Sequence, residues 1–164
     1  MQCCVPKARG AARVPCPACG QVGRPVGGAT VESILQPGAV ALLGAEPRFC
    51  RTRECDVVYY GSDGSSACKE QSRVRVGIKE REHPVPVCYC FGFTKADIER
   101  ELLQTGSCTI AARITAEVKA GNCACEIKNS SGACCLGDVN REIKEAKLRI
   151  PAISLLVGVP GLLR

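Results

Sequence analysis

Val87-Cys88-Tyr89-Cys90-Phe91-Gly92-Phe93 sets two thiols on either side of one tyrosine, and Cys123-Ala124-Cys125-Glu126-Ile127-Lys128-Asn129-Ser130-Ser131-Gly132-Ala133-Cys134-Cys135 supplies four more. Residues 91–122 between them read as two short helices. Thr94-Lys95-Ala96-Asp97 is a capping box with Asp in place of Glu, opening a helix through Ile98, Leu102 and Leu103 that Gly106 stops. Thr109 is the candidate cap of the next helix, with Ile110, Ile114 and Val118 facing inward and Gly121 as its end. The second cysteine run reads as a loop turned by residues 129–132, and a last helix over about 138–148 presents Val139 and Ile143. Soft thiolates offered in pairs by two separate segments are what an iron–sulfur cluster requires. Residues 85–148 are therefore expected to form a short-helix module around a [2Fe-2S] cluster. Cys88 and Cys90 are the clear pair. Cys135 stands before the final helix, whose N-terminal donors favour a charged group, and Cys125 completes the set. Cys123 and Cys134 remain alternates that spacing does not exclude, and Cys108, in the core or near the cluster, is not taken as a ligand.

Outward from this run, residues 15–84 read as a zinc-pinned β module. In Cys16-Pro17-Ala18-Cys19-Gly20, two thiolates three apart and a following glycine make one half of a zinc ribbon. Cys50-Arg51-Thr52-Arg53-Glu54-Cys55 is the partner half, with a wider loop. Cys16, Cys19, Cys50 and Cys55 together suit structural Zn(II), because four thiolates leave no position for water or substrate. A strand through residues 56–60, a hairpin turn at residues 61–64 and a second strand over residues 72–78 (Val74, Val76 and Ile78 on one face) give the sheet. Residues 30–35 read as a helical turn or a loop ended by Pro37-Gly38, residues 39–43 as core, and Cys68 has no partner by spacing. Residues 82–86 read as a hinge-like linker; the single histidine, His83, is assigned to it and not to a cluster.

The ends are less specific. Residues 1–14 read as a flexible arm whose Cys3-Cys4 is either free or able to take a soft ion such as Cu(I). Residues 149–164 form an apolar tail, too short and too interrupted by Pro151 and Pro160 to match a span of roughly 20 apolar residues. Packing on the core is expected of it ahead of a membrane surface.

The 14 cysteines, set against three Phe, three Tyr and no Trp, indicate that thiols replace part of an organic core. Close local pairs favour chelation over long cross-links, and no basic, apolar leader opens the sequence, so a reducing, cytoplasmic setting is expected. The formal charge of +6 counts every thiol as neutral; loading both centres would bring it to about +2. The basic stretch around Lys69, Arg73, Arg75, Lys79 and Arg81 is broken by Glu70, Glu80 and Glu82, and stacking aromatics are scarce, which argues against nucleic acid. Nothing suggests a hydrolytic dyad or triad. The expected class is α+β, and the expected role is one-electron transfer with metal handling, not classical catalysis.

The cysteine pairs, the helix pair and Ala120-Gly121 resemble the [2Fe-2S] domain of bacterioferritin-associated ferredoxins. Cys16-Pro17-Ala18-Cys19-Gly20, Phe49-Cys50, Cys55-Asp56-Val57-Val58-Tyr59-Tyr60, Val87-Cys88-Tyr89-Cys90 and Asn129-Ser130-Ser131-Gly132-Ala133-Cys134-Cys135 together are similar to the zinc and [2Fe-2S] N-terminal domain of archaeal and bacterial copper chaperones. That resemblance implies a cluster that reduces Cu(II) to Cu(I), transient copper, an unidentified electron donor, and a copper carrier that supplies a copper-transporting ATPase. The carrier's Met-x-Cys-x-x-Cys loop is absent from this sequence, so the carrier would be a separate protein or Cys3-Cys4 would stand in. The rival expectations are a redox adaptor docking on a larger oxidoreductase and a structural zinc ribbon.

Overall fold

The computed structural model describes the backbone of residues 13–157 and the side chains of residues 13–150. Cys3-Cys4 and the end of the apolar tail lie outside these residues. The class is α+β. Four short strands, β1 (Arg24–Pro25), β2 (Arg48–Phe49), β3 (Val57–Tyr60) and β4 (Ser66–Cys68), form one antiparallel sheet in that order. Helices α1 (Gly28–Ile34) and α2 (Pro37–Leu42) fill the β1–β2 connection. Val31, Ile34 and Leu35 pack on Phe49, Val58, Tyr59 and Val76 as the first core.

The hairpin turn at residues 61–65 forms as expected: Gly61 N–H donates to Ser65 O at 2.9 Å, and Tyr60 pairs with Ser66. The returning strand is Ser66–Cys68, however, and not residues 72–78. Cys68 N–H donates to Gln71 Oε1 at 2.8 Å, which turns the chain into a 3-10 segment, Lys69–Gln71, and ends the strand. Ser72 then bridges to Leu35, and Arg73 N–H donates to Ile34 O. Val76 is fully buried while Val74 is exposed, so the alternation reports a crossing over α1 and no strand face. The turn over residues 30–35 does end before Pro37, since α1 stops at Ile34, but Pro37 also opens α2 from the N1 position, where its missing N–H is not needed.

The second half begins with the hairpin β5 (Pro86–Cys88) and β6 (Phe93–Thr94). Helices α3 (Lys95–Thr105), α4 (Ile110–Lys119), α5 (Cys125–Lys128) and α6 (Leu136–Val157) follow. Thr94 and Asp97 exchange both capping-box hydrogen bonds, and Gly106 closes α3 at φ 72°. Ile98, Leu102, Ile110, Ile114, Val139 and Ala146 form the second core. Two boundaries differ from expectation. Residues 125–128 make a helical turn within the supposed loop, and α6 starts two residues earlier and continues through Pro151.

Helices α3 and α6 are also pinned by charge. Glu142, 5% exposed, meets Lys95 Nζ at 2.5 Å and Arg149 Nη2 at 2.8 Å. Burial pushes the Glu142 carboxyl up, but Lys95 and Arg149 outweigh it and hold it below the usual range. Its stabilising effect is therefore present above the unfolded value of about 4.3 and is lost as pH falls through the lower folded value. Glu142→Gln is expected to cost about 2 kcal/mol at pH 7 and to flatten the acid limb of the stability profile, read from urea midpoints between pH 3 and 7.

The two halves touch directly. Thr30 Oγ1 donates to Glu126 O and Tyr59 OH to Ser130 O, each at 2.5 Å, and Gly77 N–H donates to Tyr89 OH at 2.7 Å. Gly77 lies so close to the Pro86 carbonyl that a Cβ would overlap it. Of the stretch expected to be a hinge, residues 82–84 are exposed, but Val85 is buried and its carbonyl accepts Lys95 N–H at 2.9 Å.

Candidate metal centres

The first centre is built by two turns. Gly20 N–H donates to Cys16 O at 2.8 Å with Gly20 at φ 71°, a left-handed conformation that glycine adopts without strain, and this closes the first knuckle. The second knuckle rises between β2 and β3. Together they bring the Sγ atoms of Cys16, Cys19, Cys50 and Cys55 within 4.8 Å of one another. Cys19 and Cys50 are 3.7 Å apart, and Cys16 and Cys55 are 3.9 Å apart. Burial pushes the Cys16 and Cys55 thiols up, Cys55 to about 12. Burial also raises Cys19, but the Thr52 hydroxyl at 3.3 Å, the Gln21 N–H and neighbouring thiols outweigh it and bring Cys19 down to about 6. A compact, largely buried set of four sulfurs with an ionisable member is a four-cysteine metal-binding site, and it fits a d10 ion that needs no open position.

Sequence reasoning missed Lys79, because it reads there as one more cation of a basic stretch broken by Glu80 and Glu82. Its side chain is 5% exposed, and Nζ donates to Thr52 O at 2.6 Å and Cys55 O at 2.8 Å. That ammonium braces the wide Cys50–Cys55 loop by two of its carbonyls. Lys79→Met leaves two carbonyls without a donor. It is expected to destabilise the loop by about 2 kcal/mol and to speed metal loss to a chromogenic chelator by about tenfold or more.

The second group of thiols has another shape. Cys90 Sγ lies 3.6 Å from Cys125 Sγ and accepts Ala124 N–H at 3.4 Å. Cys135 gives its S–H to Cys88, which brings Cys88 down to about 6 against burial, with help from the N–H groups of Phe91 and Cys90. The same hydrogen bond, and burial, push Cys135 up. Burial and the contact with Cys90 raise Cys125, whose sulfur also faces the Cys135 N–H. These sulfurs make two pairs: among the described residues, the first centre alone gathers three or more sulfurs within 4.8 Å of one another. Cys88, Cys125 and Cys135 are buried and Cys90 is half-buried. Cys135 also precedes α6, its carbonyl accepting Val139 N–H at 2.9 Å. Cys123 and Cys134 are half-buried, like Cys90. Cys108 packs against the second core and contacts Glu101 Oε2 at 3.5 Å. Among the described residues, no helix is long and apolar enough to cross a membrane.

Fold and site together define a small α+β metal-binding domain whose cysteines do the work of a core. Residues 13–73 match the zf_CopZ family, described as a zinc binding domain. The chain is 33% identical over 120 residues to the copper chaperone CopZ of Archaeoglobus fulgidus, a match covering 73% of this chain and 57% of that protein's length. It also resembles the X-ray structure of the A. fulgidus CopZ N-terminal domain, at 30% identity and a TM-score of 0.63, over 77% of this chain and 95% of that one. The chain belongs to the family of CopZ N-terminal domains.

Proposed function

We propose that this chain is a metal-loaded redox domain of copper handling. Cys16, Cys19, Cys50 and Cys55 hold structural zinc, and Cys88, Cys90, Cys125 and Cys135 hold a [2Fe-2S] cluster. The observation that carries this reading is the contrast in shape: one set of thiols converges as a single tetrahedral ion needs, while the other stands as two pairs, as two irons need. When bound, such a centre supplies one electron at a time, the stoichiometry of reducing Cu(II) to Cu(I). The protein's part is to exclude water through the burial of Cys88, Cys125 and Cys135, and to aim the N–H groups of Phe91, Ala124 and Cys135 at the sulfurs. Copper enters from the relative, whose name is copper chaperone; a copper carrier and a copper-transporting ATPase are the partners that the resemblance implies. The reduced thiols suit a cytoplasmic setting.

A second reading, a zinc-holding adaptor without electron transfer, is favoured by the family match, which covers the zinc half alone. Metal and sulfide analysis of protein purified without oxygen separates the two. Two irons, two sulfides and one zinc per chain, by the stoichiometry of such centres, with reoxidation of the dithionite-reduced protein by Cu(II), supports the redox reading. Zinc alone, with no acid-labile sulfide after reconstitution, leaves the adaptor.

A further inference from the structure

We infer that the cleft between the two halves is the port at which small anionic copper complexes exchange an electron with the second thiol group. This rests on the reading of that group as a cluster site. The cleft encloses about 200 Å3. Arg24, Arg51 and Arg53 of the zinc half line it. So do Val87 and Tyr89, which flank Cys88, and Ala133 and Cys134, which lead into Cys135. The chain next to two of the four thiols thus borders the cleft.

The charge around the cleft is lopsided. Arg24, Arg51 and Arg53 are exposed, and none has an ion-pair partner among the described residues. The cleft's other cations are already engaged, Lys95 with Glu142 and Arg141 with Asp138, and Glu145 is a further carboxylate on the rim. Three uncommitted guanidinium groups therefore face one uncommitted carboxylate. A four-thiolate cluster is itself negative and would repel an anion, so a positive rim of this kind is what an anionic reactant needs in order to approach. The volume is below the range of roughly 300–1,000 Å3 typical of ligand pockets, which suits a compact chelate. In the step, one electron passes from the one-electron-reduced centre to Cu(II), giving the oxidised centre and Cu(I); no bond forms or breaks.

The test uses the zinc-loaded, dithionite-reduced chain, freed of excess dithionite and mixed with one of two probes: the Cu(II)–EDTA dianion or the dication of Cu(II) with tris(2-aminoethyl)amine. Recovery of visible absorption gives the rates. In R24Q/R51Q/R53Q the anion-to-cation rate ratio should fall about tenfold or more at low salt. R24K/R51K/R53K should keep the wild-type ratio. K119Q/K144Q/K147Q, with the same change in net charge elsewhere, should change it by less than about twofold. Zinc content checks the fold of each variant. As a readout without electron transfer, hexacyanocobaltate(III), a redox-inert trianion, should shift the Arg51 and Arg53 amide signals of the oxidised protein and not those of the glutamine variant. An unchanged ratio, or an equal fall in the two glutamine triples, overturns the inference and moves the exchange to the half-exposed Cys90 edge. Wild-type protein with no iron and no colour overturns the underlying reading instead.

Discussion

Cys125→Ser protein should emerge from anaerobic purification colourless, with iron and acid-labile sulfide at background and still about one zinc per chain. Cys125 is 2% exposed and 3.6 Å from Cys90, so its loss breaks one of the two pairs in a place that water cannot fill. A serine oxygen is a harder ligand than thiolate and is expected to hold iron too weakly to keep the proposed cluster. Cys123→Ser and Cys134→Ser, outside the two pairs of the proposed ligand set, should stay red-brown. Spacing chose Cys125 and left Cys123 and Cys134 as alternates, and these three variants test that choice. Iron retained in Cys125→Ser and lost in Cys134→Ser would reassign the ligand set.

Cys50→Ser should have the larger effect on stability. The buried cluster around the first centre consists of Cys16, Cys50, Cys55, Val57 and Tyr60, so three of its five members are thiols. Little apolar area remains if the ion is lost. Binding of a structural zinc is worth on the order of 10 kcal/mol, comparable with the whole stability of a small domain. The variant should bind no zinc, lose the Tyr60 contacts to Val14 O at 2.9 Å and from Gly23 N–H at 2.6 Å, and melt without a cooperative transition for residues 13–73. Circular dichroism with zinc analysis reads both, and a strong chelator should bring wild-type protein to the same state.

Local chemistry made much of this legible in the sequence. The Cys16–Cys19 knuckle, the Thr94–Asp97 capping box, the Gly106 stop and the turn at residues 129–132 each follow from residues within a few positions of one another. What failed depended on distant partners. Val74, Val76 and Ile78 alternate as a strand does, but Leu35 and Ile34 claim the neighbouring backbone and Gly77 is pressed against Pro86. Pro37 was read only as a stop, but proline also begins helices, and here it follows the end of α1 and opens α2. Lys79 could not be found at all by pattern, since a buried lysine with two carbonyl acceptors looks in sequence like any surface cation. The pairing of Cys88 with Cys135 needs the docking of α6 on α3 and β5, and that of Cys90 with Cys125 follows the seating of α5 on α1, which no spacing rule encodes.

The hydroxyls of Thr30 and Tyr59 reach carbonyls 96 and 71 residues further along the chain. Read as a timetable, those numbers divide the birth of the protein in two. Everything the first centre requires has left the ribosome once residue 79 is out, so that half can close on its metal during synthesis. Its two reaching hydroxyls must then wait, solvated, for residues 126–130 to arrive. Closures of such long loops are slow, and the late-arriving thiols are the ones exposed to stray metals and oxidants in the interval.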